Sequence, residues 1–158
     1  MRWMRWTLGA ALCATLLAAC ASGPVRRVSE PSARLQQLTV RADGRWSADL
    51  RIENFSSIPM RFDEVALALA IGEHAAGTLQ ASPSLSVGPE SADVISVVLT
   101  PSAAAKLAVA DALANRRSVD YTLKGTLAAT PDEGKRRSYE IDRSSALSPA
   151  PGLPGVLR

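Results

Sequence analysis

The chain has few of the residues from which catalytic and metal sites are usually built. Its 158 residues include one histidine, His74, and two cysteines, Cys13 and Cys20. None of its serines lies in a G-x-S-x-G elbow, and the sequence has no phosphate-binding loop and no D-x-D-x-D-G calcium loop. The sequence therefore predicts no catalytic residues, no metal site, no cofactor and no enzymatic activity.

Charge of one sign is also scarce. The formal net charge is +3, from 18 basic and 15 acidic side chains. Arg2 and Arg5 contribute to it, whereas no acidic residue precedes Cys20. If residues 1–19 are removed, the remaining 139 residues carry a net charge of only +1. This balance gives no reason to expect a nucleic-acid partner.

No apolar run is long enough to cross a bilayer as a helix, which needs about 20 residues. The longest such run, residues 6–19, has no charged side chain and follows the cationic Arg2 and Arg5. A cationic start, a short apolar stretch and small residues before a cleavage point are typical of a secretory signal. The pattern predicts a signal peptide over residues 1–19.

The end of this run, Leu17-Ala18-Ala19-Cys20, resembles the lipobox of bacterial lipoproteins. In that family the cysteine thiol receives a diacylglyceryl group, and a type II signal peptidase cleaves before the cysteine. The resemblance implies a lipid anchor on Cys20, with no free thiol left for a disulfide. Because Ala21 rather than aspartate follows, it also implies location in the bacterial cell envelope, at the outer membrane and facing the periplasm. One alternative stays open: an ordinary signal peptide cleaved after Ala21 would release a chain without Cys20.

Composition divides the rest of the chain into three parts. Residues 20–33 include glycine, two prolines and no periodic pattern, which predicts a lipidated N-terminus and flexible tether. Residues 34–143 are predicted to form one domain. Residues 144–158 contain three prolines and two glycines and are predicted to be an irregular tail.

Alternation of apolar and polar residues predicts about seven strands within residues 34–143. The predicted strands begin near Leu35, Trp46, Met60, His74, Ala92, Ser118 and Arg137. One helix is expected between the fifth and sixth strands, with Thr100 as N-cap, Pro101 as its first residue and an end near Asn115. Its apolar stripe is expected at Ala103, Leu107, Ala110 and Ala114. This order predicts an antiparallel β-sandwich of the immunoglobulin or fibronectin type III kind, with one helix before the last two strands.

A set of punctuation residues resembles the water-stress-and-hypersensitive-response (WHy) domain, which is shared with the late embryogenesis abundant group 2 proteins. The matching positions are Asn54 at a strand end, Ile58-Pro59 in the following crossover, Gly72 closing the long strand and Gly77 after it. The resemblance implies structural roles for these residues and a fibronectin-like sandwich with one helix. It also implies a non-enzymatic role in desiccation or stress tolerance.

Two functional hypotheses follow from these observations. In the first, a membrane-anchored protein protects envelope components during desiccation or osmotic stress through weak contacts with proteins or lipids. In the second, an accessory module docks one envelope protein through an exposed strand edge or through the tail. The observation behind the second hypothesis is the alanine face of the strand over Val65–Ile71, which indicates a strand that is partly covered or near an edge. No sequence feature indicates an oligomeric state.

Overall fold

Nine strands and one helix account for the regular structure of residues 26–158, the part of the chain that the computed structural model describes. Seven strands are long: β1 (Ser32–Val40), β2 (Trp46–Asn54), β3 (Met60–Ile71), β4 (His74–Ala81), β6 (Ser91–Leu99), β7 (Val119–Pro131) and β8 (Arg137–Leu147). Two are short: β5 (Leu85–Val87) and β9 (Val156–Leu157). The helix, α1, spans Ala103–Ala114 between β6 and β7.

The strands form two antiparallel sheets that share one core. The first sheet has the order β6-β2-β1-β9, and the second has the order β4-β3-β7-β8, with β5 paired to β3. One continuous cluster of buried apolar side chains draws on both sheets and on α1. Tyr121 of β7 also donates a hydrogen bond across the core, from its hydroxyl to the carbonyl of Leu35 in β1, at 3.3 Å. The predicted mainly β, antiparallel architecture is confirmed.

Strict alternation in β2 produces the inner face that the sequence predicts. Trp46, Ala48, Leu50 and Ile52 are all buried, while the residues between them are half-buried. The Asp43-Gly44 turn precedes this strand, and Gly44 has a φ of 77°, which glycine adopts without steric cost. The tight turn fixes the register in which Trp46 lies opposite Val40 of β1.

The long strand β3 lies inside its sheet, because it pairs with β7 on one side and with β4 and β5 on the other. A bulge at Asp63 keeps Phe62 and Val65 on the same buried face despite their spacing of three residues. Of the two alternatives for the alanine face at Val65–Ile71, a position near an edge is therefore wrong, because β3 is paired on both sides.

The expectation of about seven strands is also wrong, since nine are present in the described residues. The two additional strands are short and depend on partners distant in sequence. β5 is held by its pairing with β3, in which Val87 lies opposite Met60 and Leu85 lies opposite Phe62. β9 is held by its pairing with β1, in which Leu157 lies opposite Leu38. The tail is therefore not irregular throughout, because Leu157 is fully buried and pairs with β1. The helix accordingly precedes three strands rather than two.

The other boundaries shift by a few residues. β1 begins at Ser32, two residues before the predicted start of the domain at residue 34. β8 continues to Leu147, four residues beyond its predicted end at residue 143. In both cases pairing with a neighbouring strand, β2 or β7, extends the ladder beyond the apolar pattern.

The helix lies where the sequence predicts it, but its cap and buried face differ. The N-cap is Ser102, not Thr100, because the Ser102 hydroxyl accepts from the Ala105 amide at 3.2 Å and donates to the Ala75 carbonyl at 2.7 Å. The buried residues are Ala105, Val109 and Ala112, whereas Leu107 of the predicted stripe is 72% exposed. Apolar residues occur around this whole helix, so its pattern did not determine the buried face.

Candidate functional site

A buried polar side chain ends the inner face of β2. Asn54 is 1% exposed and occupies a position where the alternation would place another apolar residue. Its Nδ2 donates to three backbone carbonyls and its Oδ1 accepts one backbone amide. The partners are the carbonyls of Ile58 at 2.9 Å, Val87 at 3.2 Å and Gly88 at 2.9 Å, and the amide of Ser56 at 2.9 Å.

These bonds join two loops that are far apart in sequence. The β2–β3 loop, residues 55–59, and the start of the β5–β6 loop, residues 88–90, both receive hydrogen bonds from the Asn54 side chain. Burial strengthens the requirement for such bonds, because an unpaired buried carbonyl or amide costs about 1–3 kcal/mol. Asn54 thus holds the loops of this end of the domain in one arrangement.

The same loop binds the segment that leads toward the N-terminus. Ser56 is fully buried; its Oγ accepts from the Ser29 amide at 3.0 Å and donates to the Ser29 carbonyl at 3.3 Å. Arg27 and Ser57 exchange three further bonds. The Arg27 amide donates to the Ser57 Oγ at 2.7 Å, and the Arg27 carbonyl accepts from the Ser57 amide at 2.9 Å and from the Ser57 Oγ at 3.4 Å. We call the hydrogen bonds of Asn54, Ser56 and Ser57 with their partners the Asn54 node.

Ion pairs surround the node on its solvent side. Arg27 pairs with Glu90 at 3.2 Å, and Arg26 pairs with Glu133 in the β7–β8 turn. All four side chains are more than half exposed, so each pair contributes only about 0–1 kcal/mol. The hydrogen bonds of Ser56 and Ser57 therefore hold Arg27 and Ser29, and the ion pairs neutralise acidic groups around them.

Two carboxylates beside this end of the sheets have lowered pKa values. A hydrogen bond from Thr130, at 2.6 Å, and one from Arg61, at 2.7 Å, hold the pKa of Asp63 below its ordinary value of 3.8. For Glu53, burial raises the pKa, but hydrogen bonds from Arg51 and Ser32 together outweigh it and lower the pKa from 4.5. Both groups are therefore structural anions at neutral pH.

The structure brings together some of the predicted site residues and separates others. Asn54, Ile58 and Pro59 meet at one end of the sheets, where the Pro59 carbonyl also accepts the Asp132 amide at 2.9 Å. Gly72 lies at the opposite end, in the β3–β4 turn, with a φ of 55°. Gly77 lies in β4, beside the irregular pairing of Leu69 and Ala70, with a φ of 150°.

The predicted lipidation site, Cys20, and the predicted cleavage motif, Leu17, Ala18 and Ala19, lie outside the described residues. The structure therefore does not test these two predictions. The described chain begins at Arg26, six residue steps after Cys20.

Three positions with specific structural contacts are not predicted by the sequence: Ser56 and Ser29 in the node and Gly125 in the second sheet. Ser56 stands two residues after Asn54, a spacing typical of an asparagine that accepts from the amide two residues later. Ser29 carries no comparable signal. Gly125 lies inside β7, where a Cβ would come 2.1 Å from the Ala66 carbonyl oxygen of β3. An isolated glycine in a strand is the available signal for such a close approach.

A groove of about 970 Å³ lies between the end of α1 and the residues that precede β9. Its lining contains no histidine, cysteine, aspartate or glutamate; Arg116 is its one ionisable side chain, and Ser118 and Ser148 are hydrogen-bonded to each other at 2.8 Å. Across residues 26–158, no three His, Cys, Asp or Glu side chains are grouped to hold a metal ion. No helix of that range is long and apolar enough to span a membrane.

The fold and its node define a mainly β protein with two antiparallel sheets, one crossover helix and a polar loop end. Residues 49–144 match the sequence model of the family described as "Late embryogenesis abundant protein", group 2. This range covers more than half of the chain and contains the Asn54 node loop, Gly72 and Gly77. The chain therefore belongs to the late embryogenesis abundant group 2 family.

Comparisons beyond the family are more distant. No curated protein matches the chain. Among solved structures, the structural genomics target SoR45 is 9% identical over 80% of this chain and 92% of its own, with a TM-score of 0.48. AT1g01470 from Arabidopsis thaliana is 15% identical over 79% and 80%, with a TM-score of 0.46. A protein from Archaeoglobus fulgidus is 13% identical over 78% and 98%, with a TM-score of 0.42. The family assignment rests on the sequence match alone.

Proposed function

We propose that this chain is a non-enzymatic, membrane-anchored lipoprotein of the late embryogenesis abundant group 2 type, carrying a WHy-like, fibronectin-like sandwich. It protects components of a bacterial cell envelope, at the outer membrane, during desiccation or osmotic stress. The family match over residues 49–144 carries this proposal. The lipobox-like Leu17-Ala18-Ala19-Cys20 supports the anchor.

The surface of the domain fits weak contacts with many neighbours. The ten ion pairs of the described residues are mostly between exposed side chains, and basic and acidic groups alternate along strand faces, as in Arg51 with Glu53 and Arg61 with Asp63. A surface on which basic and acidic groups are interspersed offers hydrogen-bonding groups to other surfaces. Two sheets with a continuous core hold this surface in shape within residues 26–158, which contain no cysteine.

Survival of drying tests the proposal directly. A strain that lacks the gene is complemented with the wild-type protein, with Cys20→Ser, or with an empty vector, and survival is counted after drying and after osmotic upshift. We expect the wild type to restore survival and Cys20→Ser to restore clearly less, because the protector must stay at the envelope. Equal survival of the deletion strain and the wild type would refute the stress role.

The anchor has its own test, independent of survival. Mass spectrometry of the N-terminal peptide from the wild type is expected to show a lipid-modified Cys20 as the first residue. Cys20→Ser is expected to accumulate as an unlipidated precursor. An unmodified peptide that begins after Ala21 would favour the ordinary signal peptide instead.

A second candidate function is an accessory module that docks one envelope protein. The observation that favours it is the edge of β6, since this nine-residue strand pairs only with β2. Val94 and Val98 on it are 38% and 44% exposed, which gives an added strand apolar contacts. Neither β3 nor the tail supports this candidate, because β3 is internal and Leu157 is buried. A Val94→Lys/Val98→Lys variant would lose a stoichiometric partner if this function is correct.

A further inference from the structure

The Asn54 node determines how far the domain can move from an anchor at Cys20. Cys20 and Arg27, the first residue that the node holds, are separated by seven residue steps, which span at most about 25 Å in a fully extended chain. Without the node, the first fixed residue would be Ser32 in β1. The tether would then have twelve steps and a reach of about 40 Å. Pinning Arg27 and Ser29 to the β2–β3 loop therefore shortens the tether from twelve steps to seven.

The node also determines which end of the domain is close to the anchor. The node loops, residues 55–59 and 88–90, and the β7–β8 turn meet at one end, as the Asp132–Pro59 and Arg26–Glu133 contacts show. We call this end the node end. The helix end is the opposite end. There the residue that caps α1 is hydrogen-bonded to the Ala75 and Ala76 carbonyls, and Gly72 lies in the β3–β4 turn.

The length of the domain makes this difference large. Strand β7 runs between the two ends with 13 residues, which corresponds to about 40 Å. A tether of about 25 Å cannot bring the helix end to the membrane while the node end points away from it. A tether of about 40 Å could bring the helix end to the membrane in that orientation.

Two exposed apolar side chains lie at the node end beside the pinned segment. Phe55 is 48% exposed in the β2–β3 loop, and Val28 is 42% exposed between the two pinned residues. The Arg27 guanidinium donates to the Phe55 carbonyl at 3.2 Å, which places the two regions side by side. The acidic Glu90 and Glu133 nearby are paired with arginines, so they present little uncompensated negative charge to a headgroup layer.

We propose that the Asn54 node is an orientation clamp: it holds the node end, with Phe55 and Val28, against the phospholipid surface that carries the lipid on Cys20. The proposal rests on the proposed anchor. An apolar aromatic side chain at the headgroup boundary and a short tether both favour this orientation. The helix end, with the exposed Leu107, then faces away from the membrane.

Phe55 and Leu107 provide a matched pair of reporter positions. Both are exposed apolar residues, and the processed, lipidated chain has no other free cysteine. Phe55→Cys and Leu107→Cys, each labelled with an environment-sensitive fluorophore, are purified as the full lipidated chain in phospholipid vesicles. Quenching is measured with a nitroxide placed on the lipid headgroup. We expect severalfold stronger quenching of the label at position 55 than at position 107.

A third variant tests the clamp itself. Arg27→Ala/Ser56→Ala/Ser57→Ala removes the Ser56 and Ser57 hydroxyl bonds to Ser29 and Arg27 and the Arg27 guanidinium bonds to Phe55 and Glu90, so that one backbone bond, from the Ser57 amide to the residue 27 carbonyl, is left. Its folding is checked by the fluorescence of Trp46. In this background we expect the ratio of quenching at positions 55 and 107 to fall toward one. An unchanged ratio in a folded variant would overturn the clamp.

The result separates this inference from the proposed function. Flotation with the vesicles and the mass of the N-terminal peptide report on the anchor alone. If the chain is lipidated and floats but position 107 is quenched as strongly as position 55, the orientation is refuted and the anchor stands. If Cys20 carries no lipid, both the anchor and the orientation are refuted.

Discussion

Replacing Asn54 by aspartate tests whether one amide organises the node end. Asn54→Asp keeps the size and shape of the side chain but removes both N–H donors. The carbonyls of Ile58, Val87 and Gly88 would then face a carboxyl group instead of an amide. The acceptor for the Ser56 amide remains. The substitution therefore measures the effect of losing the hydrogen-bond donors without a change in side-chain packing.

The expected cost follows from the bonds that are lost. Each unpaired buried acceptor costs about 1–3 kcal/mol, and two donors are removed, so we expect the free energy of unfolding to fall by about 2–6 kcal/mol at pH 7. Burial and three carbonyl oxygens both disfavour the charged carboxyl, which raises its folded pKa above the unfolded value. A protonated carboxyl regains one donor. The penalty is therefore smallest near pH 4 and grows as pH rises through the folded pKa.

Urea unfolding followed by Trp46 fluorescence measures this penalty. Trp46 is fully buried and is the one tryptophan that follows residue 19. The wild type and Asn54→Asp are compared at pH 7, 5.5 and 4, and their difference in free energy of unfolding is taken at each pH. Gln80→Glu, the same amide-to-acid change at an exposed position, is the control and should change stability by less than about 0.5 kcal/mol. A difference for Asn54→Asp that is below 1 kcal/mol, or that shrinks as pH rises, would refute the reasoning.

Three further predictions concern the sheets. Gly125→Ala, whose Cβ would meet a backbone oxygen, should lower the free energy of unfolding by more than about 3 kcal/mol, whereas Gly72→Ala, with open space around it, should cost only about 1–2 kcal/mol in urea unfolding. The pKa of Asp63 is lower in the folded protein than its unfolded value of 3.8, so the ionised carboxylate stabilises the fold at pH values above 3.8, and this contribution is lost as pH falls through the folded pKa. Asp63→Asn should therefore make the free energy of unfolding depend less steeply on pH in the acid range. Leu157→Ala in β9 should lower the thermal unfolding temperature, at a cost of about 2–5 kcal/mol, while Leu153→Ala, 44% exposed, should leave it nearly unchanged.

Much of the fold follows from local patterns. The alternation over β2 and β3 correctly predicts Trp46, Leu50 and Leu67 as buried, and the Asp43-Gly44 turn correctly predicts the first hairpin. These features depend on neighbours in sequence, because the period of a strand and the φ of a turn are local properties. The antiparallel pairing and the position of the helix follow from the same signals.

The remaining features depend on partners that are distant in sequence. β9 has only two residues, and pairing with β1 more than a hundred residues earlier makes it a strand. The face of α1 is set by where the helix meets β4, since its own pattern is apolar on all sides. For the candidate site, Asn54 was identified by the family resemblance, but its bonds to Val87 and Gly88 and the pinning of Ser29 arise only in the folded chain.

Covalent capture in living cells tests the proposed function most directly. A photo-crosslinking residue is placed at Thr78 or Lys124, both on exposed positions of the second sheet, in cells before and during osmotic stress. A protector that works through weak contacts at the envelope predicts a diffuse set of envelope adducts that increases under stress. A single dominant adduct of constant amount in both conditions would contradict it and would favour a dedicated partner.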